Sequence, residues 1–255
     1  MRPEVRDTPL VLVVVNDPDS GPGRFGAWLE EAGVRLRVVD GLSVPATTEG
    51  LDGVLLLGGG FMPDADERAP WLPAERRLAA ACLDDGTPLL GICLGAQLLA
   101  LVAGGRVMAD SGRPERGSVV VRRTPAATGD ALFGGLPDTF PAIQNHRDEV
   151  TALPEAAVHL AASDTCPHQA FRVGAAAWGV QFHPEASAER LERWDASRVA
   201  AEGFDLDALR AAARAAEPAS EAAARALLVA FVAVVGRGQE RASERPGIAS
   251  SSRRV

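Results

Sequence analysis

Thr87-Pro-Leu-Leu-Gly-Ile-Cys-Leu-Gly-Ala-Gln97 is the stretch of sequence that decides the fold. An apolar run leads straight into Gly-x-Cys-x-Gly, and an Ala/Leu-rich segment follows that stops at Gly104-Gly105. This order predicts a strand, a sharp turn and a helix, with Cys93 on the turn. Side chains at positions 91 and 95 would clash in such a turn, which explains the two glycines. The turn would hold Cys93 above the carboxyl edge of a sheet, where open α/β folds bind ligands.

The segments before this turn alternate between strand and helix patterns. Leu10–Val15 and Gly53–Leu57 are continuous apolar runs, which are typical of strands buried on both faces of a parallel sheet. Helices are predicted over 21–33 and from about 71 to 83, and a further strand over 34–39. The alternation predicts an α/β fold, with a doubly wound, flavodoxin-like, mostly parallel sheet and flanking helices.

The pattern changes beyond Gly105, where short β-rich pieces are separated by turn residues. These pieces predict strands over 118–122, 140–143, 158–162, 169–173 and 177–182. An extra C-terminal helical segment follows Pro184. Its helices are predicted over 189–201, 205–216 and 219–235, and Ser220 is a suitable N-cap for the last one.

These elements predict a single domain over residues 10–235. The charged, proline-containing residues 1–9 are expected to form a flexible N-terminus. Residues 236–255 are rich in Ser, Arg and Gly and are expected to form a disordered tail.

Composition excludes several classes of function. The net charge of -8 argues against a nucleic-acid partner, because counterion release requires a basic face. The apolar run over 226–235 is shorter than the ~20 residues that a bilayer requires, and no secretory signal is recognisable, so no membrane partner is expected. Cys82, Cys93 and Cys166 lack disulfide or metal-site spacing. A cytoplasmic protein without cofactor or metal is expected, with Cys82 and Cys166 as packing residues.

Gly179-Val-Gln-Phe-His-Pro-Glu185 supplies what a cysteine nucleophile requires. His183 can take the thiol proton and later protonate a leaving amine. Residues two apart in extended backbone face the same side, so Glu185 can orient the imidazole of His183. The helix N-terminus favours the thiolate of Cys93, and the Leu94 N–H can serve an oxyanion hole. The alternative for Cys93 is a core cysteine beside a tight turn. The alternative for His183-Pro-Glu185 is a surface turn with two polar residues.

Gly91-Ile-Cys-Leu-Gly-Ala-Gln97 together with Gln181-Phe-His-Pro-Glu185 resembles the class I (triad) glutamine amidotransferase family. The likeness runs from about residue 10 to 235. Within the family, the sequence resembles the free-standing bacterial proteins that are similar to the amidotransferase domain of GMP synthase. The resemblance implies release of ammonia from glutamine through a γ-glutamyl thioester. It also implies that Cys93 is the nucleophile, His183 the acid and base, and Glu185 the orienting carboxylate.

The resemblance further implies roles around this triad. The oxyanion N–H groups would be those of Gly59 and Leu94, and Gln97 would contact the substrate or else bond the backbone. Glu115, in the segment that matches the family's Glu-x-Gly loop, would bind the substrate amino group.

Two loops depart from the family pattern. Gly58-Gly-Gly-Phe-Met62 replaces the usual Gly-Gly-Pro, and Gln144-Asn-His-Arg-Asp148 replaces Trp-x-His-Gly-Asp. His146 and Arg147 would therefore lie near the substrate mouth. His146 and Asp148 are expected to order the loop rather than catalyse, and His146 is also a candidate to bind the substrate. Arg147 either binds a substrate carboxylate or lies in solvent. His159 and His168 lie outside any motif and are expected at the surface.

Three hypotheses about function stay open at this point. The first is a glutaminase that delivers ammonia to a separate synthetase, since the sequence contains neither a P-loop nor a Ser-Gly-Gly-x-Asp-Ser pyrophosphatase loop. The second is a stand-alone hydrolase of γ-glutamyl amines or peptides, which the two altered loops favour. The third is a non-enzymatic binding module on the same fold.

Overall fold

The protein is described from a computed structural model that covers residues 8–244, with side chains described through residue 238. Most of the predicted flexible N-terminus, residues 1–7, and the last part of the predicted tail, residues 245–255, lie outside the described residues.

The described chain begins with strands and helices in turn, is rich in strands in its middle part and ends in helices. The elements are β1 (Leu10–Val15), α1 (Gly23–Glu31), β2 (Arg35–Asp40), β3 (Gly53–Leu56), α2 (Leu72–Asp85), β4 (Leu89–Ile92), α3 (Leu94–Val102), β5 (Arg106–Met108), β6 (Glu115–Arg123), β7 (Thr139–His146), β8 (Glu149–Ala152), β9 (Val158–Ala162), β10 (Ala170–Val173), β11 (Ala177–Val180), α4 (Ala196–Ala201) and α5 (Leu206–Glu244).

A nine-stranded sheet forms the centre of the fold, in the order β2-β1-β3-β4-β11-β10-β9-β6-β7. The first five strands in this order are parallel, and the last four extend the sheet in antiparallel fashion. The predicted doubly wound α/β fold is confirmed. Strands β5 and β8, which form a separate two-stranded sheet, escaped prediction because runs of three and four residues carry little periodicity.

Four of the five parallel strands, β1, β3, β4 and β11, are buried on both faces, whereas the edge strand β2 is largely exposed. Val11 and Val13 of β1 pack on the side of α1 and α5, where Phe25 and Phe231 lie. Leu12 and Val14 pack on the opposite side, against α2 and α3. This alternation follows from the two-residue period of a strand, and it clamps the sheet between two layers of helices.

The C-terminal helices differ from prediction. The segment predicted as one helix over 189–201 is a 3₁₀ turn, Ala188–Arg193, followed by α4, whose N-cap Asp195 accepts hydrogen bonds from the N–H groups of Ser197 and Arg198. The two helices predicted over 205–216 and 219–235 are one helix, α5, with Pro218 inside it. The predicted tail is also wrong over 236–244, because α5 continues to Glu244.

Packing explains why α5 passes through Pro218. A proline inside a helix removes one backbone hydrogen bond and costs about 3 kcal/mol. Helix α5 buries Leu227, Leu228 and Phe231 in the main core, which offsets that cost. Ser220, predicted as an N-cap, is instead a buried residue within α5.

Helix α5 is also long and apolar enough over Leu206–Gly238 to meet the length and composition of a membrane span. Of its most apolar window, 44% is buried inside the protein. The core helix of a soluble domain meets the same criteria, so this helix is weak evidence for a membrane.

Candidate active site

The backbone at Cys93 adopts the sharp turn that the sequence predicts. Cys93 follows β4 and precedes α3, and its φ of 52° lies in the left-handed region that non-glycine residues rarely occupy. A Cβ at Gly91 would lie 2.4 Å from the Gly95 carbonyl oxygen, and a Cβ at Gly95 would lie 2.2 Å from that of Leu56. The two glycines are therefore required by close backbone approach, and the strained cysteine is 7% exposed at the sheet edge.

The neighbouring strand brings His183 to the same edge. Strands β4 and β11 are parallel, with Ile92 opposite Val180, so the segments that follow them leave the sheet side by side. The Cys93 N–H donates to the Val180 carbonyl at 2.8 Å, and the His183 N–H donates to the Ile143 carbonyl on β7 at 2.8 Å. His183 is thus held between the central strand and the antiparallel half of the sheet.

Glu185 bonds the imidazole as the two-residue spacing predicts. The distance from His183 Nδ1 to Glu185 Oε1 is 2.7 Å. Among the described residues, the other ring nitrogen, Nε2, and the other carboxylate oxygen, Oε2, are buried without a hydrogen-bond partner. The paired nitrogen fixes the ring orientation, and Nε2 stays available for a proton transfer.

Charge at this pair favours the imidazolium. Burial alone lowers the pKa of His183, but the charges of Glu185 and Cys93 outweigh burial and raise it from 6.5 to about 10. The other two cysteines differ, because burial raises the pKa of Cys82 and of Cys166 to about 12. Both are buried, as predicted for packing residues, and both stay protonated at neutral pH.

The loop after β3 lies directly against His183 and Cys93. A Cβ at Gly58 would lie 3.0 Å from His183 Cε1, and one at Gly59 would lie 2.9 Å from the Asn16 Cβ. Only glycine lets the backbone of this loop pass so close to the site. Leu94, the first residue of α3, carries one of the N–H groups that a helix leaves without an intrahelical acceptor.

A buried polar cluster that the sequence did not reveal supports the glycine loop. Asn16 donates from Nδ2 to the Leu57 carbonyl at 3.2 Å and to Glu75 Oε2 at 3.1 Å, and its Oδ1 accepts from Trp71 Nε1 at 2.8 Å. Burial raises the pKa of Glu75 to about 7, against the hydrogen bond from Asn16. Asn16 follows β1, Trp71 precedes α2 and Glu75 lies in α2, so no local motif marks these groups.

A cavity of about 310 Å³ opens above Cys93. Of the residues singled out from sequence, Gly59, Cys93, Gln97, His146, Arg147 and His183 line it. Further polar and charged residues complete its wall, namely Asp17, Ser20, Arg116, Asn145, Asp148 and Arg198. A second cavity of about 300 Å³ adjoins the first and shares Asp17, Ser20, Arg116, Asn145 and Arg198 with it.

The two glutamines near the cysteine are linked to each other. Gln97 Nε2 donates to the Asp148 carbonyl at 3.1 Å and to Gln181 Oε1 at 3.2 Å. Gln181 Nε2 in turn lies 3.5 Å from Cys93 Sγ. Gln97 therefore braces the loop over 144–148 as well as lining the cavity, and Gln181 is a residue in contact with the thiol that the sequence did not single out.

Glu115, predicted to bind the substrate amino group, is not among the residues that line the cavity. Glu115 is 3% exposed and lies opposite His146 in the β6–β7 ladder, so the two face each other across the strands. Its carboxylate contacts His146 Nε2 at 3.0 Å and accepts from Ser163 Oγ at 2.6 Å and Gln169 Nε2 at 2.5 Å. Glu115 orders His146 from beneath and does not line the cavity.

Glu115 and His146, with Cys166, also form a group whose potential metal-ligand atoms lie within 4.8 Å of one another. The carboxylate and the imidazole are already hydrogen-bonded to each other, and the pKa of Cys166 is raised to about 12 by burial. Together with the bonds that Glu115 accepts from Ser163 and Gln169, this pairing makes a hydrogen-bonded polar network.

Arg147 and Arg116, two of the three arginines that line the cavity, differ in environment. Arg147 is exposed and donates to Asp110 Oδ2 at 2.8 Å, so neither alternative drawn from sequence, a bound carboxylate or free solvent, describes it fully. The side chain of Arg116 is only 9% exposed and binds Glu202 through two nitrogens, at 2.7 and 2.8 Å. Arg116 escaped notice because its partner lies far along the chain, beyond α4.

The fold and the family comparison together define the class of protein. The chain belongs to the class-I glutamine amidotransferase family, whose family model matches residues 27–193. The resemblance inferred from the two motifs is thereby confirmed.

The chain is also similar to individual proteins and to a solved structure. The chain is similar to a protein from Thermoplasma volcanium that is named as a subunit of glutamine-hydrolyzing GMP synthase, with 34% identity over 175 residues, 68% of this chain and 82% of that protein. A second protein of that name, from Methanopyrus kandleri, is 38% identical over 149 residues, 56% of this chain and 74% of its own length. The crystal structure of a glutamine amidotransferase from Thermotoga maritima superposes with a TM-score of 0.77 at 27% identity, covering 88% of this chain and 98% of that one.

Proposed function

We propose that this amidotransferase hydrolyses the side-chain amide of glutamine to glutamate and ammonia through a thioester on Cys93. The observation that carries the proposal is the meeting of a strained cysteine at a strand-to-helix turn with the His183–Glu185 pair on the adjacent strand end. The family membership and the names of the relatives support the same chemistry.

The reaction begins with attack of the Cys93 thiolate on the amide carbonyl carbon of the substrate. The carbonyl oxygen becomes an oxyanion, and the N–H groups of Gly59 and Leu94 are the donors proposed to stabilise it. His183, held as imidazolium by Glu185, gives its Nε2 proton to the departing nitrogen, and the C–N bond breaks to release ammonia. A γ-glutamyl thioester stays on Cys93.

Hydrolysis of the thioester uses the same groups in reverse. His183, now neutral, takes a proton from water as the water oxygen attacks the thioester carbon. The second tetrahedral intermediate collapses with loss of the Cys93 thiolate, which restores the imidazolium–thiolate pair and releases glutamate. Each step balances with protein groups and water alone.

Gln97, His146 and Arg147 line the cavity and are the candidates to orient the glutamyl group. His146 is held at both ring nitrogens, by Glu115 and by the Asp148 carbonyl, so its ring has a fixed orientation in the cavity wall. Arg147 can release Asp110 to meet a substrate carboxylate, because an exposed ion pair is worth only about 0–1 kcal/mol.

Transfer of the ammonia to a separate synthetase is part of the proposal. The similar proteins from Thermoplasma and Methanopyrus are named as subunits of a glutamine-hydrolyzing synthase, which supports a partner that consumes the ammonia. An affinity-tagged chain should recover a synthetase from a cell extract. Full glutaminase activity of the isolated chain, with no synthetase recovered, would contradict the transfer of ammonia to a partner but not the hydrolysis of glutamine.

A second candidate is hydrolysis of γ-glutamyl amines or peptides by the same triad. The adjoining cavity of about 300 Å³ favours it, because this space shares a wall with the site and could hold a larger leaving group. Steady-state kinetics with glutamine and a series of γ-glutamyl amines separate the two. A higher kcat/KM for free glutamine rejects the larger substrate.

Ammonia release from glutamine tests the central proposal. Wild type and Cys82→Ala should both release ammonia and glutamate in equal amounts, while Cys93→Ala should release neither above background. Retained activity in Cys93→Ala would reject Cys93 as nucleophile.

A further inference from the structure

The loop that carries Glu185 is held from outside the sheet, by the first turn of α1. The N–H of Arg24 donates to the Glu185 carbonyl at 3.0 Å. Gly23, with φ of 51°, approaches so closely that a Cβ there would lie 2.1 Å from the same oxygen. The backbone of Glu185 therefore lies directly against the start of α1.

The Arg24 side chain fastens the same loop a second time. Its Nε donates to the Pro184 carbonyl at 2.8 Å, one residue before Glu185. Its Nη1 donates to Glu217 Oε1 at 2.9 Å and its Nη2 to Ser220 Oγ at 3.3 Å, both on α5. The side chain is 9% exposed, so these bonds compete little with water.

Glu217 binds the same loop at a second point, Ala188. Its second oxygen, Oε2, accepts from the Ala188 N–H at 2.8 Å. Arg24 and Glu217 thus span residues 184–188 as one ion pair. Burial lowers the pKa of Arg24, while the carboxylates of Glu217, Glu221 and Glu185 act in the opposite direction.

The Glu185 carboxylate depends on this hold. Its Oε1 contacts His183 Nδ1, and its Oε2 is buried without a hydrogen-bond partner among the described residues. Apart from His183, no hydrogen bond in the described part of the chain fixes the carboxylate itself. Its place is set by the backbone at 184–185, which Arg24 binds.

We propose that Arg24 is a positioning residue for the site: it fixes the backbone of Pro184 and Glu185 and so sets the Glu185 carboxylate against His183. The proposal rests on the proposed function for the role of that pair. Arg24 does not line the cavity above Cys93, and it acts only through Glu185.

Three variants test the proposal. Arg24→Gln removes the guanidinium, and Arg24→Lys keeps a charge but cannot reach Pro184, Glu217 and Ser220 together. Arg225→Gln is the matched control: Arg225 packs over the same Trp28 ring, at 4.2 Å against 5.3 Å for Arg24, but its bond is to Glu31 rather than to the loop. Arg225 also bridges α5 to α1, through Glu31 and Trp28.

Two readouts are required, kcat and KM for glutamine and the pH profile of Cys93 alkylation by iodoacetamide, followed by mass spectrometry. Arg24→Gln should lower kcat about 10- to 100-fold with KM within about twofold, because a displaced orienting group impairs chemistry more than binding. Its alkylation profile should shift to higher pH, because a less firmly held imidazolium stabilises the Cys93 thiolate less. Arg24→Lys should lie between, and Arg225→Gln should match wild type.

The outcomes separate this proposal from the proposed function. If Arg24→Gln matches Arg225→Gln in both readouts, the positioning role is wrong while the triad stands. If wild type releases no ammonia but the alkylation profile shifts in Arg24→Gln, the proposed reaction fails and the positioning role stands. If Arg24→Gln does not fold, Arg24→Lys decides by the same comparison with Arg225→Gln.

Discussion

The N–H of Cys93 donates a 2.8 Å hydrogen bond to the Val180 carbonyl, so the turn after β4 is bonded to the last residue of β11. Three residues further on, His183 leaves the same strand end beside the cysteine. The site therefore depends on strand register. Parallel pairing of β4 with β11 brings Cys93 and His183 together, although they lie 90 residues apart in the sequence.

The steric requirement at the turn gives the first prediction. Gly95→Ala should lower the free energy of unfolding by about 3 kcal/mol, because the new Cβ would lie 2.2 Å from the Leu56 carbonyl oxygen. Gly60→Ala is the control: nothing lies within 4 Å of a Cβ there, and its effect should stay within about 0.5 kcal/mol. Urea denaturation measures both, and equal stabilities would contradict the close approach.

The His183–Glu185 pair predicts a particular dependence of stability on pH. The pKa of His183 is raised from 6.5 to about 10 in the folded protein, against burial, by Glu185 and Cys93. The stability it contributes is therefore fully present below pH 6.5 and is lost as pH rises through about 10. Glu185→Gln should flatten this loss, because the largest cause that raises the pKa is gone.

Urea denaturation at pH 6.5, 8 and 10 checks this behaviour, with exposed Glu189→Gln in the same segment as control. The control should follow wild type throughout. Parallel curves for Glu185→Gln and wild type would mean that the carboxylate does not hold the imidazolium.

Glu75 predicts a second pH window. Its folded-state pKa of about 7 lies above the ordinary 4.5, so the stability it contributes is fully present below pH 4.5 and is lost as pH rises through about 7. Glu75→Gln should therefore be more stable than wild type at pH 8, on the order of 2 kcal/mol, since it avoids a buried charge. Exposed Glu67→Gln should show no such gain. A Glu75→Gln variant that is less stable than wild type at pH 8 would show that the carboxylate is well accommodated.

Arg116 and Arg147 line one cavity but should differ in their effect on stability. Arg116→Gln leaves Glu202 partly buried without its two-nitrogen partner and should cost about 2 kcal/mol. Arg147→Gln removes an exposed pair with Asp110 and should cost less than about 0.5 kcal/mol. Urea denaturation compares the two, and equal losses would contradict the difference in burial. A rise in KM for glutamine in Arg147→Gln, without loss of stability, would assign the guanidinium to substrate binding.

Sequence predicted the parts of the site that local patterns encode. The turn at Cys93 needs glycine on both sides, and the His183–Glu185 spacing follows from extended backbone, so both are readable without a structure. The family resemblance was readable from the same residues. Strands β1, β3 and β4 were equally clear, because burial on both faces leaves continuous apolar runs.

The features that the sequence did not predict depend on contacts between segments that are distant along the chain. Glu115 was assigned to the substrate, but the register of β6 with β7 turns it toward His146. The Asn16–Glu75 contact and the Arg24–Glu217 pair join residues 59 and 193 positions apart, and neither has a local signature. The predicted break between the helices over 205–216 and 219–235 is absent, because tertiary packing keeps α5 continuous through Pro218.

The most direct test of the triad is the mass of the intact protein after incubation with 6-diazo-5-oxo-norleucine, a glutamine analogue whose reactive carbon is attacked by a nucleophilic thiolate with loss of dinitrogen. The account predicts one adduct, mapped by peptide fragmentation to Cys93, and none on Cys82 or Cys166, whose pKa values of about 12 keep their thiols protonated. Glutamine should slow the labelling. An unlabelled Cys93, or equal labelling of the three cysteines, would contradict it.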